Sequence, residues 1–309
     1  MTSDSQKPIL FVGALTEDSI FRVSGFSSGS GKFIAERATR NAAGMASSAA
    51  TAAARIGGKA TLWASVGDDA SGKELIKDLQ SEGVDCGLVR TVIGGKSARA
   101  IIIVDETGER WIVVDYDPVT QSSPEGLPTN DFSQFKAVMC DVRWPGAAAL
   151  ALDAARDAGA MAILDADVAP RDVLLDLAKR ATHLIASEPG ASLLCDRKSS
   201  PENAVTALND RYGVVVCVTA GGDGTYWCPA QGGPVRHVAG PKVEVVDTLA
   251  AGDIFHGAIA QALCEGQPME DAIRFASSAA ALKCTVFGGR LGAPGRAETI
   301  KLMEETYHG

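Results

Sequence analysis

The 309-residue sequence has no run of 18 apolar residues, so no membrane-spanning helix is expected. Met1 to Pro8 is short and polar and lacks the apolar stretch of a secretory signal. The seven cysteines (86, 140, 195, 217, 228, 264 and 284) include no Cys-x-x-Cys pair, which argues against a zinc site or a disulfide framework. Cys140 and Cys217 lie inside strand-like apolar runs, a placement that suits free thiols and a cytoplasmic protein. Basic residues are in the minority. The net charge of −9 argues against nucleic acid or an anionic membrane as the main partner. Two nucleotide-binding motifs are also missing. Ser27 to Lys32 reads Ser-Ser-Gly-Ser-Gly-Lys, but Phe26 stands where a Walker A loop needs its first glycine, and Phe33 where it needs Ser or Thr. A dinucleotide fingerprint begun at Gly29 would need glycine in place of Ile34.

What is present is a long α/β pattern. At 46% hydrophobic, the chain can bury one large core, and residues 1–309 are read as a single domain. Ile9 to Val12 is a short apolar strand followed by Gly13. Ala42 to Gly57 is Ala-rich and reads as a tightly packed helix stopped at Gly57-Gly58. Ala100–Val104 and Trp111–Tyr116, joined by Asp105-Glu106-Thr107-Gly108, give a hairpin signal. From Ala137, strands at 137–141, 161–165, 182–186 and 213–219 alternate with helices near 146–158, 170–179 and 201–210. This predicts a mostly parallel sheet covered on both faces, with ligands at the carboxyl ends of its strands. Arg143, Asp165 and Asp167 fall at such ends.

The chemistry centres on Val246-Asp247-Thr248-Leu249-Ala250-Ala251-Gly252-Asp253. Lys242 to Val246 alternates toward β structure, and Ile254, Phe255, Ala258, Ile259, Ala262 and Leu263 have helical spacing. A helix that begins at small residues presents unpaired N–H groups and its positive dipole end to an anion. Asp253, in the first turn, is poorly placed to bind that anion. It is well placed to accept a proton from a hydroxyl attacking a phosphate.

This stretch resembles the Asp-Thr-x-Gly-Ala-Gly-Asp signature of the PfkB (ribokinase-like) carbohydrate kinases, with Ala250 in place of the first glycine. Val66-Gly67-Asp68-Asp69 with Gly72, and Val218-Thr219 with Gly221 and Gly224, resemble further motifs of that family. The resemblance implies a ribokinase-like fold with a small β lid, built from segments near 20–38 and 96–117, that often serves as a homodimer contact. It implies that Asp253 is the catalytic base, with backbone N–H groups of Ala250, Ala251 and Gly252 stabilising the transferring phosphoryl group. It places sugar contacts at Asp18, Gly44 and Ser48, and ATP contacts at Ser187, Thr219, Gly221, Gly224, Ala280 and Cys284. It also suggests Glu188 as a partner for Mg²⁺, and Asp247 with the Leu249 backbone for a monovalent cation such as K⁺.

Cys140-Asp-Val-Arg-Trp144, Ser187-Glu-Pro-Gly190, Phe255-His-Gly-Ala258 and Ala281-Leu-Lys-Cys-Thr285 look like the bacterial 6-deoxy-6-sulfofructose kinases. In that subgroup the residues matching Arg143 and Lys32 look like readers of the sulfonate. Arg143 could instead brace the strand ends against Asp141 or Asp165. The subgroup has Asn-Tyr where this chain has Asp115-Tyr116, and a carboxylate beside a sulfonate is unfavourable unless a cation intervenes. The expected substrate is therefore 6-deoxy-6-sulfofructose, with a neutral or phosphorylated ketohexose as the alternative. A sugar-sensing pseudokinase should have lost Asp253, and a nicotinamide-dependent oxidoreductase should show a Gly-rich fingerprint near the start.

Overall fold

The computed structural model describes residues 7–25, 31–106, 110–124 and 131–308. Most of the polar start, the Gly-Ser stretch 27–30 and the 107–108 half of the hairpin turn lie outside the described residues. The strands are β1 (Ile9–Val12), β2 (Thr16–Arg22), β3 (Arg37–Ala43), β4 (Ala60–Trp63), β5 (Ser65–Gly67), β6 (Arg90–Val92), β7 (Ala98–Val104), β8 (Arg110–Asp115), β9 (Ala137–Cys140), β10 (Met161–Ala166), β11 (His183–Ser187), β12 (Val215–Thr219), β13 (Thr225–Cys228) and β14 (Arg236–Val238). The helices are α1 (Met45–Arg55), α2 (Ala70–Ser81), α3 (Pro145–Asp157), α4 (Arg171–Ala178), α5 (Glu188–Cys195), α6 (Pro201–Tyr212), α7 (Ala251–Cys264), α8 (Met269–Cys284) and α9 (Arg296–Tyr307).

Eight strands form the central sheet in the order β14-β13-β12-β11-β10-β9-β1-β4. From β4 to β12 the pairing is parallel, and the β12-β13 and β13-β14 pairs are antiparallel. The central strands are apolar along their whole length because both faces are covered: all four residues of β1 and of β9 are buried. One core joins α1, α7 and α8 to the sheet, and a second joins α3, α4, α5 and α6 to the opposite face. The alanines of α1 have a specific use. A Cβ on Gly257 of α7 would come within 2.1 Å of the Ala49 carbonyl oxygen, so the two helices pack backbone to backbone.

A second sheet, in the order β3-β2-β7-β8, stands apart from the first. Its β2-β7 pair is parallel and its outer pairs are antiparallel. The alternation of β7 puts Ala98, Ala100, Ile102 and Val104 inward, and the last three join Ile20 and Phe287 in a third apolar cluster.

Three readings of the sequence need correction. Lys242 to Val246 is not a strand: it pairs with no sheet, and the Val246 N–H donates to the Cys284 carbonyl. The helix read from Ala42 starts at Met45. Ala42 and Ala43 complete β3, and Gly44 turns the chain at φ 105°. Sequence reasoning missed α5. Its signal was available in Ser187, whose hydroxyl accepts from the Gly190 N–H, and in a proline in the first turn.

Candidate active site

Four chain segments meet at the carboxyl ends of β1, β9 and β10. Gly13 follows β1 and frees the Ala14 N–H, which donates to Asp141 Oδ2 at 2.8 Å. The Ala46 N–H, in the first turn of α1, donates to the same oxygen at 3.0 Å, and the Arg143 N–H donates to Oδ1 at 2.8 Å. Gly13 is required here, since a Cβ would lie 2.1 Å from Asp141 Cγ. Burial pushes the Asp141 carboxyl above its ordinary range, against the pull of those three donors. Asp141 thus locks the start of α1 to the end of β9.

Above this joint lies a cavity of about 140 Å³ between the main sheet and the inner face of the lid. Of the residues expected from sequence, Asp18, Gly44, Ser48, Arg143, Ala250 and Asp253 all line it. Asp18 and Asn41 face each other across the β2-β3 ladder. Asp18 Oδ1 accepts from Thr16 Oγ1 at 2.8 Å, and burial raises the carboxyl to about 6 while the Thr16 bond and the Arg290 charge oppose the rise. Both side-chain polar atoms of Asn41, and the Ser48 hydroxyl, are buried without a hydrogen-bond partner. Unpaired buried polar atoms are costly unless a ligand satisfies them. Asn41 was missed from sequence because nothing local distinguishes it from any other strand asparagine.

Ala250 adopts a left-handed conformation at φ 63° and caps α7. The Ala251 N–H donates to Thr248 O and that of Ile254 to Ala250 O. Between them, the N–H groups of Gly252 and Asp253 have no acceptor among the described residues. A Cβ at Gly252 would meet nothing within 4 Å, so an anion can approach the backbone closely. Asp253 is half-buried at the cavity wall. Desolvation, and then the charge of Asp165, push its carboxyl well above the ordinary value. Behind it, His256 Nδ1 lies 2.7 Å from Gly252 O and 3.4 Å from Asp165 Oδ2.

A site of this make-up, a raised carboxyl beside a free helix N-terminus and above a pocket of unsatisfied hydroxyl-binding groups, suits transfer of a phosphoryl group to a polyol. The sequence profile of the pfkB family carbohydrate kinases matches residues 6–296. The chain belongs to this family. It is a sugar kinase of the ribokinase and fructokinase type, a phosphotransferase. It is 44% identical to a candidate ribokinase from Agrobacterium tumefaciens of known crystal structure, with a TM-score of 0.95 over 98% of this chain and 99% of that one. It is 30% identical to the ATP-dependent ribose-1-phosphate kinase of Halopiger xanaduensis over 96% of this chain and 98% of that one. The fold also matches an Arabidopsis thaliana ribokinase solved with ribose and ATP, at 24% identity and a TM-score of 0.81 over 96% and 99% of the chains.

Other expected residues of the kinase lie elsewhere. Lys32 is exposed and does not line the cavity. Asp115 faces the outer side of the lid, where it pairs with Arg99 at 2.8 Å, while its neighbours Val114 and Tyr116 line the cavity. Strand alternation puts residues 114 and 116 on one face and 115 on the other. Asp115 therefore does not sit beside an incoming sugar. Arg143 lines the cavity and is also braced, by the Val168 carbonyl at 2.9 Å and Asp167 Oδ2 at 3.4 Å rather than by the side chain of Asp141 or Asp165.

Thr219, Gly221 and Gly224 cluster at the end of β12, where Gly221 and Gly224 take positive φ. Ser187 Oγ is engaged with Asp167 and with the start of α5. Ala280 and Cys284 are half-buried and one turn apart on α8. Glu188 is exposed in the first turn of α5, and no group of three metal-ligating side chains occurs among the described residues. The expected cation position at Asp247 is already filled: Lys283 Nζ lies 3.2 Å from Asp247 Oδ2 and 2.5 Å from its carbonyl oxygen. No helix among the described residues is long and apolar enough to cross a membrane, and none of the seven cysteines forms a disulfide.

Proposed function

We propose that the kinase transfers the γ-phosphoryl group of ATP to a hydroxyl of a ketohexose carrying an anionic substituent, with 6-deoxy-6-sulfofructose the foremost candidate. The observation that carries this reading is Arg143, a guanidinium at the cavity wall with two of its five N–H groups engaged. The remaining N–H groups suit a sulfonate or phosphate. The carboxylate that would have opposed such a group, Asp115, is turned away and paired. One relative is itself named for an anionic sugar.

In this reading Asp18, Asn41 and Ser48 hold sugar hydroxyls. Asp253 accepts the proton of the attacking hydroxyl, and the N–H groups at the start of α7 receive the charge of the transferring group. ATP would lie along the start of α7 and the Gly221–Gly224 turn, whose positive-φ glycines let a phosphate approach the backbone. Mg²⁺ is commonly held by one or two carboxylates together with substrate phosphates, so the single exposed Glu188 fits that need. When bound, Mg²⁺ neutralises phosphate charge. We further propose that the kinase is a dimer joined through the outer face of its lid.

The test is a kinetic panel of 6-deoxy-6-sulfofructose, fructose, tagatose 6-phosphate, fructose 6-phosphate and ribose. Arg143→Ala should reduce kcat/KM for the sulfosugar about 10- to 100-fold, the range of a charged hydrogen-bonded pair, and leave any slow reaction with fructose unchanged. Equal loss on both sugars would show Arg143 to be a brace only. A wild-type preference for fructose or ribose would replace the sulfosugar reading with the neutral one.

A further inference from the structure

Lys283 is a charged side chain with none of its surface exposed, sealed beneath the loop that starts α7. Its Nζ donates to the carbonyl oxygens of Asp247 at 2.5 Å and Val286 at 3.4 Å, and lies 3.2 Å from Asp247 Oδ2. Two carbonyls and a carboxylate are the oxygen set that a hard monovalent cation would take. The rest of the Asp247 carboxylate is also committed. Oδ1 accepts from the Leu249 N–H at 2.8 Å, and Oδ2 accepts from the N–H groups of Gly288 and Gly289 at 2.9 and 3.0 Å. Two N–H groups and the ammonium saturate Oδ2, the oxygen that faces the buried site.

We infer that the Lys283 ammonium is a built-in monovalent cation, and that this kinase needs no K⁺ or Na⁺ for turnover. The charge acts at one remove. It fixes Asp247, Asp247 fixes the Leu249 N–H, and Leu249 and Ala250 form the cavity edge beside the free N–H groups of Gly252 and Asp253. Lys283 is thus a positioning residue for the phosphate-binding turn. Burial holds the amine below its ordinary value, and the Asp247 carboxylate, through its charge and its hydrogen bond, only partly offsets that. The inference rests on the kinase activity alone and not on which sugar is taken.

The experiment compares turnover of wild type and Lys283→Met in potassium, ammonium, sodium and choline chloride at constant ionic strength, using whichever sugar supports turnover. Melting temperature is measured in the same salts. Wild type should turn over equally, within about twofold, in all four, with a melting temperature independent of cation identity. Lys283→Met should be at least about tenfold slower in choline, within the range of losing a preorganised donor. It should recover both rate and melting temperature in potassium or ammonium. Saturable activation of wild type by K⁺ would overturn the inference. So would a variant as fast as wild type in choline, or a slow variant that no cation rescues. If Lys283→Met does not fold, the cation dependence of wild type decides.

Discussion

Asp253 combines two demands that oppose each other at most positions. In the proposed base role it must be ionised to accept a proton, yet it stands where desolvation and the nearby Asp165 hold its carboxyl well above the usual range. The sign of the pH effect follows. The active form is the carboxylate, so activity is present above the raised pKa and is lost as pH falls through it. The acid limb of kcat/KM should therefore lie above the ordinary carboxylate value of 3.8. Asp253→Asn should lower turnover by about 10²-fold or more while ATP still binds, as calorimetric titration would show. Near-normal turnover in that variant would remove Asp253 from the base role. Gly190 is a second residue with a local explanation. A Cβ there would lie 2.0 Å from the Ala166 carbonyl oxygen, so the close approach of α5 to the end of β10 excludes any side chain at this position.

The lid strands show what alternation does for an element. The inner face supplies Ile20, Ile102, Ile112 and Val114 to the buried cluster and the cavity. The outer face carries Ser19, Ile101 and Val113 in one cross-strand row and Phe21, Ile103 and Trp111 in the next. Val113 is 68% exposed and Ile101 51%. An apolar outer surface on a sheet is a natural contact for a second copy of the same sheet. Val113→Glu should shift the kinase from dimer to monomer in sedimentation velocity, with its far-ultraviolet circular dichroism unchanged. A monomeric wild type would show that this face has another use.

At the scale of the molecule, Arg290 ties the lid to the main body. It is fully buried and donates to the Ala42 carbonyl at the end of β3, to Thr51 in α1 and to Asp78 in α2, and it lies 3.2 Å from Glu82. Arg55 closes the same network with two bonds to Glu82 and two to the carbonyls of Leu291 and Ala293. Removing Arg290 leaves Asp78 without its charged partner and the Ala42 carbonyl without this donor, while Glu82 keeps Arg55. Arg290→Met should lower stability by about 3–5 kcal/mol in urea unfolding at pH 7. A loss under about 1 kcal/mol would mean that the lid is held by its apolar contacts instead.

The sequence alone determined the features that depend on neighbours along the chain. Periods of two and of 3.6 marked most strands and helices, and Asp247 through Asp253 announced the start of α7 and its chemistry because helix capping, dipole and base lie within one turn. Gly44, Ser48 and Asp18, expected from the family resemblance, line the cavity. Tertiary structure decided what depends on residues far apart. Asp115 could be assigned to the cavity or to the outer face only once the register of β7 and β8 was known. Asn41 became a site residue only through its place opposite Asp18. Lys283 reads in sequence as an ordinary helical lysine. It becomes a cation site because the loop at 247 and the turn at 286–289 close over it, bringing oxygens from distant parts of the chain to one buried charge.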